Sequence, residues 1–389
     1  MKILAIKSKL LWLCSAPLLF IVFALITALY MLLNLYTGRI ENLGNYQIFV
    51  NSFTHLINYK NLYMTFNDGL DLYKYSPTFA LFMGLFSWMP NYIGLLFWHV
   101  FNLLILYVAV KNIETNYNKI IFYCFILITS WGSFQSSQIN AMMGGLIYLF
   151  GICIYEQKLK LAAFLLAILG FIKIYGCFAI ILLIIVKDNK MKFLLYYLGY
   201  CILLFLLPLT VVNFHQLLQL YLDWWDLLRN DSHSYGLSVI GAYAQFLPVG
   251  RYGVTIINLL GLIYVLGILV RVAKSNIIIS KTLLYKVISL LMLWMVIFNH
   301  KAEPQTYILA YIGVAIWFFT NKENSILNDI LIFIIFVVDL LSDTRLASHD
   351  VKIYLSSHAI EAIVCFPVWL TIGFDILKYV SNKAINTQQ

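Results

Sequence analysis

The chain has 389 residues, of which 62% are hydrophobic and 11% charged, with a formal net charge of +9 and a mean hydropathy of +0.86. An ordinary soluble domain carries about 25% charged residues, so this composition excludes one and predicts an all-α polytopic membrane protein. The positive charge then says nothing for nucleic acid as a partner; it bears on which side of a bilayer each loop faces.

The N-terminal stretch is basic at Lys2, Lys7 and Lys9 and then apolar from Leu10 to Tyr36, far longer than the roughly 7–15 apolar residues of a cleavable signal. It predicts a retained first transmembrane helix with its N-terminus in the cytoplasm, and 37–76 as the first extracytoplasmic loop. The run "TFALFMGLFSWM", ending at Pro90, has 12 residues. At about 1.5 Å per residue it reaches about 18 Å, short of the roughly 30 Å hydrocarbon core, so a half-helix on the outer side is expected.

Residues 91–110 then return to Lys111 and Lys119, 120–134 go out, and 141–155 come back to "EQKLK". Residues 159–186 read as an apolar hairpin with Lys173 at its outer tip. Residues 193–213 lead out to a long polar loop, "FHQLLQLYLDWWDLLRNDSHSYGLS", followed by a second partial segment at 239–248. Spans at 253–270, 287–299, 306–320, 326–341 and 362–377 complete the path. The result is a single transmembrane domain, 1–389, of about twelve crossings with both ends cytoplasmic, and about two-thirds of the 26 lysines and arginines fall inside.

On this topology the polar clusters share the outer face. They are Glu41, Asn45, Asp68, Asp71, Tyr73, Lys74 and Tyr75 in the first loop; Gln135, Gln138 and Asn140; Lys173; Asp223, Asp226, Arg229, Asp231 and His233; and "FNHKAEP" with His300, Lys301 and Glu303. Most such charges are simply solvated. The tryptophans of "DWWD" fit an interfacial belt, and Gln135, Gln138 and Asn140 fit hydrogen bonding between helices. Lys173 resists that reading: a lysine inside a membrane costs at least roughly 2.5 kcal/mol and needs a partner, and its own segment offers no acid. An anionic ligand would serve. His300, Lys301 and Glu303 are the second exception, although a Lys–Glu pair can also neutralise itself. The six cysteines (Cys14, Cys124, Cys153, Cys177, Cys201 and Cys365) have no metal or redox spacing. The sequence also lacks an Asp-x-Asp element, a Walker loop and a Gly-x-Ser-x-Gly elbow. No cofactor and no metal site are expected; a lysine-rich outer pocket suits a phosphate instead.

From "YKYSPTFALFMGLFSWMP" onward the succession of features resembles the membrane glycosyltransferases of the GT-C superfamily. More closely, it resembles the polyprenyl-phosphate-mannose-dependent α-mannosyltransferases of glycosyltransferase family 87, the DUF2029 group. The resemblance covers roughly residues 40 to 320. It rests on the Tyr-x-Tyr-x-Pro element (Tyr73, Tyr75, Pro77), the Gln-x-Asn turn (Gln138, Asn140), the hairpin-tip Lys173 and a late outer loop with His300.

The resemblance implies a GT-C-like bundle in a bacterial cytoplasmic membrane, its site facing outward. It implies a polyprenyl-phosphate sugar as donor, a glycolipid or glycan as acceptor, membrane lipid as surroundings, and transfer of a hexose with inversion. Lys173 would stabilise the leaving phosphate, aided by His300 and Lys301, while Tyr73, Tyr75, Gln138 and Asn140 would bind substrate. The general base of such enzymes is expected in an Asp-aromatic element soon after the first helix. Here that position in "NYQIF" is Asn45, whose amide accepts no proton at neutral pH. The base then comes from Asp71 or Asp68, or from Glu303, or the chemistry has changed; Asp71, four residues before Tyr75, is the first choice. The rival readings are a transporter or flippase of lipid-linked sugar, and a non-catalytic relative. A transporter needs polar groups on both halves of the bundle, whereas these collect on one.

Overall fold

The computed structural model describes residues 2–66, 69–186, 188–230, 235–246, 250–275, 277–322, 325–343 and 346–386, with backbone alone for 2–15, 251, 343 and 384–386. It is 77% helical, with no strand among the described residues. In chain order the α-helices are α1 (Lys2–Tyr36), α2 (Asn45–Ile57), α3 (Pro77–Ser87), α4 (Asn91–Val110), α5 (Lys119–Thr129), α6 (Trp131–Gln135), α7 (Asn140–Tyr155), α8 (Leu159–Ile172) and α9 (Lys190–Leu206). They continue with α10 (Phe214–Asn230), α11 (Val239–Ala244), α12 (Arg251–Lys274), α13 (Lys281–Ile297), α14 (Ile308–Thr320), α15 (Ile326–Asp343), α16 (His349–Ser357) and α17 (Ile360–Asn386). Among the described residues five stretches are long and apolar enough to cross a bilayer: Ala16–Tyr36, Asn91–Val110, Lys190–Thr210, Tyr252–Lys274 and Ile360–Lys383.

The chain forms two compact units: residues 1–112, 133–146 and 205–230 make the first, and residues 113–132, 147–204 and 231–389 the second. In the first unit α1 packs on α4, α2 on α3, and α10 on α3. Phe20, Ala24, Ala28 and Met31 of α1 are buried at helical spacing, whereas Leu18, Val22, Leu25 and Leu29 are exposed, which suits an inward stripe and a lipid-facing remainder. The half-helix expected before Pro90 is α3. Ser76 caps it by accepting from the Phe79 N–H at 3.1 Å, and Pro77 starts its first turn, where a missing N–H costs nothing.

In the second unit α13 and α14 form the central hairpin. Residues 287–297 and 308–320 are buried throughout, whereas α12 leaves Ile256, Leu259, Leu260 and Ile263 exposed. A helix apolar all round suits either a protein interior or a membrane span, and these two are enclosed by protein. Asp375 of α17 pins the pair: its Oδ2 accepts from Trp317 Nε1 of α14 at 2.9 Å and from Lys286 Nζ of α13 at 3.3 Å. Both charges of this partly buried pair are thereby satisfied.

Three stretches differ from the sequence reading. The expected polar loop after residue 213 is mostly the helix α10. Leu217 and Leu220 face inward, Tyr221 stacks on Phe205 at 4.3 Å, and Trp224 Nε1 donates to the Lys74 carbonyl at 3.2 Å. These positions follow helical spacing, while Asp223, Asp226 and Arg229 occupy the other face. The stretch 37–76 carries a helix of its own, α2, and α16 is a further short helix not anticipated.

Candidate active site

In the first unit the site residues are arranged around the Ser133–Asn140 turn. Asn45, at the start of α2, donates twice to the Ser136 carbonyl, from its backbone N–H at 3.1 Å and from Nδ2 at 3.1 Å. Trp98 Nε1 donates to the next carbonyl, Ser137 O, at 3.1 Å. The Ser137 hydroxyl lies 3.3 Å from His99 Nε2, and His99 Nδ1 lies 3.0 Å from Thr27 Oγ1. The turn is therefore tied to α1, α2 and α4, and Ser137 itself is held at φ 50°, a left-handed conformation that needs such support. Gln138 and Asn140 are both buried.

Tyr73 and Tyr75 belong to an aromatic cluster. Their rings are 5.6 Å apart, and Phe49 meets Tyr75 edge-on at 4.8 Å. The Tyr73 hydroxyl donates to Ser76 O at 2.8 Å, and Tyr63 OH donates to Tyr75 O at 3.0 Å. Tyr75 OH is 3.5 Å from Gln138 Oε1, beyond a firm hydrogen bond. Burial pushes the Tyr63 and Tyr73 phenols well above their ordinary range, so both remain neutral and neither can take up a proton as a base.

Asp71 is exposed, and its Oδ1 accepts from the Leu72 N–H at 2.7 Å. It lines a small cleft of about 20 Å³ together with Asn51, Ser52, His55, Phe66 and Tyr73, which is room for a water rather than a sugar. His55 stacks on Phe66 at 3.9 Å. Sequence reasoning passed over Asn51, Ser52 and His55, although they sit on one face of α2 at spacings of three and four residues. Asp68 lies outside the described residues.

The remaining predicted residues belong to the second unit. α8 ends at Lys173, which takes extended backbone angles (φ −137°, ψ 126°), and the chain returns as a 3-10 helix over Ile174–Ile184. At about 2.0 Å per residue the tighter helix reaches further than an α-helix of equal length. The hairpin can close because Gly170 faces Cys177 and Gly176 faces Leu169, where no side-chain carbon would fit. Lys173 is half-buried, with Nζ 5.8 Å from the centre of the Tyr175 ring. His300, Lys301 and Glu303 lie in the 299–307 loop of the same unit.

That loop is well built. Asn299 Oδ1 accepts from the Lys301 N–H at 3.0 Å, Thr306 Oγ1 accepts from the Glu303 N–H at 3.3 Å, and Ala302 O accepts from the Leu237 N–H at 2.9 Å. Tyr307 OH donates to Leu237 O. His300 and Glu303 are exposed and Lys301 is half-buried. The stretch 235–238 docks here through Gly236: its φ is +49°, and a Cβ would stand 2.6 Å from His300 O. Gly236→Ala is accordingly expected to destabilise the protein by roughly 1–3 kcal/mol and to expose 299–307 to protease. An unchanged melting temperature with an unchanged digestion pattern would refute this. Two buried acids of this unit, Asp339 and Glu361, were not singled out from sequence because each sits at the end of an apolar run.

The family model of glycosyltransferase family 87 matches residues 73–298, more than half of the chain. The chain belongs to glycosyltransferase family 87. No curated protein and no solved structure matches it. The family 87 match takes in Tyr73, Tyr75, Gln138, Asn140 and Lys173, whereas Asn45, Asp68, Asp71, His300, Lys301 and Glu303 lie outside it. Among the described residues no group of three or more His, Cys, Asp or Glu side chains is placed to hold a metal ion. As a family 87 protein with several membrane-length apolar helices, the chain is a membrane glycosyltransferase by family.

Proposed function

We propose that this family 87 member transfers a hexose, mannose by family default, from a polyprenyl-phosphate sugar to a glycolipid or glycan on the extracytoplasmic face of a bacterial cytoplasmic membrane. The family match carries this reading. The bundle has about twelve crossings with partial outer helices, both termini inside, following the lysine distribution. A carboxylate takes the proton of the acceptor hydroxyl, and that oxygen attacks the anomeric carbon. The bond from that carbon to the phosphate oxygen breaks, and the electron pair leaves with the polyprenyl phosphate. The new bond forms on the opposite face, so configuration inverts.

Asp71 is the base of choice, since it is the one described carboxylate lining the cleft beside Tyr73. Lys173 faces the donor phosphate, with His300 and Lys301 supporting it. In the test, purified protein in nanodiscs is given polyprenyl-phosphate mannose and membrane glycolipid extract, and products are read by mass spectrometry. The expected result is consumption of the donor and a new hexosylated lipid or glycan of inverted configuration. Donor that stays intact under all acceptors, or passes unhydrolysed from one leaflet to the other, would overturn the reading in favour of transport.

A further inference from the structure

A cavity with basic walls lies at the far end of α8 from Lys173. It measures about 390 Å³ and is lined by Gln157, Lys158, Lys160, Leu161, Lys192 and Tyr196. All of these residues belong to the second unit. Its walls carry three lysines and no carboxylate. Lys158 is engaged with Glu156 at 2.7 Å, so Lys160 and Lys192 carry the positive character of the cavity. Lys160 Nζ stands 5.7 Å from the centre of the Tyr196 ring, a cation–π arrangement that holds the ammonium at the cavity wall. One turn further along the same seam, Phe164 meets Tyr200 edge-on at 5.3 Å, so α8 and α9 run side by side from the cavity into the apolar region.

The surface next to this cavity decides what anion it suits. α9 belongs to the most exposed of the five membrane-length stretches, with 11% of its apolar window buried. Leu161 of α8 and Met191, Leu194, Leu195 and Leu198 of α9 are all exposed beside the basic rim. A soluble phosphate would use the lysines and leave this apolar strip bare. A phospholipid would use both, its phosphate on Lys160 and Lys192 and its acyl chains along α9. Basic pockets at the ends of membrane helices are the sites where anionic headgroups bind, and this end is the one that the lysine distribution assigns to the cytoplasm.

We propose that the Lys160–Lys192–Tyr196 cavity is a binding site for the headgroup of an anionic glycerophospholipid of the surrounding bilayer. It is separate from the residues assigned to donor and acceptor, and it holds whether or not the transferase assignment does.

The test uses the full chain in mild detergent, titrated with phosphatidylglycerol, phosphatidylcholine or soluble glycerol phosphate, with bound lipid counted by native mass spectrometry. The wild type is expected to retain phosphatidylglycerol in preference to phosphatidylcholine and to ignore glycerol phosphate. The Lys160→Ala/Lys192→Ala double variant is expected to bind phosphatidylglycerol about twenty-five-fold more weakly, at roughly fivefold for each lysine. Lys160→Arg/Lys192→Arg should keep most of the affinity. Both lysines are exposed, so the variants should match wild type in size-exclusion profile and in melting temperature without added lipid. Undiminished binding of phosphatidylglycerol by the double alanine variant would overturn the proposal. So would equal binding of the two phospholipids by wild type, or competition by glycerol phosphate at the concentration of the lipid.

Discussion

Lys173→Ala is expected to slow turnover of a polyprenyl-phosphate sugar by about 10²–10³-fold, the usual cost of removing one preorganised charge from a developing anion. The side chain is well placed for the task. The break in helix geometry at residue 173 puts the lysine at the end of α8, and glycine packing at 170 and 176 fixes the hairpin that carries it. The Lys173 ammonium stands 5.8 Å from the centre of the Tyr175 ring and the residue is half-buried, and a charge–charge attraction grows as water is excluded from around it.

The ground-state donor already carries the phosphate, so KM should rise as well. The transition state adds negative charge to the leaving oxygen, and kcat should therefore fall further than KM rises. Lys173→Arg retains the charge and should recover part of the activity, whereas Lys173→Met fills the space and should not. Size-exclusion profile and melting temperature separate loss of function from loss of fold. Wild-type kcat in a well-folded Lys173→Ala protein would remove this lysine from the mechanism.

The features that sequence revealed best are those with a cost in lipid. A lysine such as Lys173, or a break such as Pro77 after Ser76, stands out from an apolar background because each demands a structural answer. The helical membrane class, the short α3 and the hairpin tip were all legible on that basis. What lies inside the apolar background was not. α13 is no more hydrophobic than the exposed α9, so no periodicity told this enclosed helix from a lipid-facing one; only packing does so. α10 was missed for the opposite reason. Its polar face drew attention to "DWWD" as a loop cluster, although Leu217, Leu220, Tyr221 and Trp224 already stood at helical spacing.

The site followed the same division. The residue types were readable, but the carbonyl that holds Asn45 and the cleft that joins Asp71 to His55 depend on chain segments distant in sequence.

Replacing candidate carboxylates one by one should show a steep contrast. Asp71→Asn is expected to lower kcat by about 10²–10⁴-fold, the range for loss of a general base, and Glu303→Gln by less than about threefold. Asp71 is taken as the base because it is the described carboxylate lining the cleft beside Tyr73, whose phenol stays neutral. Glu303 has a structural position instead: its N–H is held by Thr306 at the entry to the short helix leading into α14. Asp68→Asn, made in parallel, tests the other acid of the loop.

Asn45→Asp is the informative control. Were the base simply missing from its expected place, restoring the acid should raise activity. The structure predicts the reverse. The Asn45 amide donates to Ser136 O, and a carboxylate has no hydrogen to give that carbonyl. The variant should therefore lose about 0.5–1.5 kcal/mol for the bond, plus a repulsion between two oxygens, and loosen the turn that carries Gln138 and Asn140. A lower melting temperature with no gain in kcat is the expected result. A gain in kcat from Asn45→Asp, or a collapse of turnover in Glu303→Gln with Asp71→Asn active, would move the base away from Asp71.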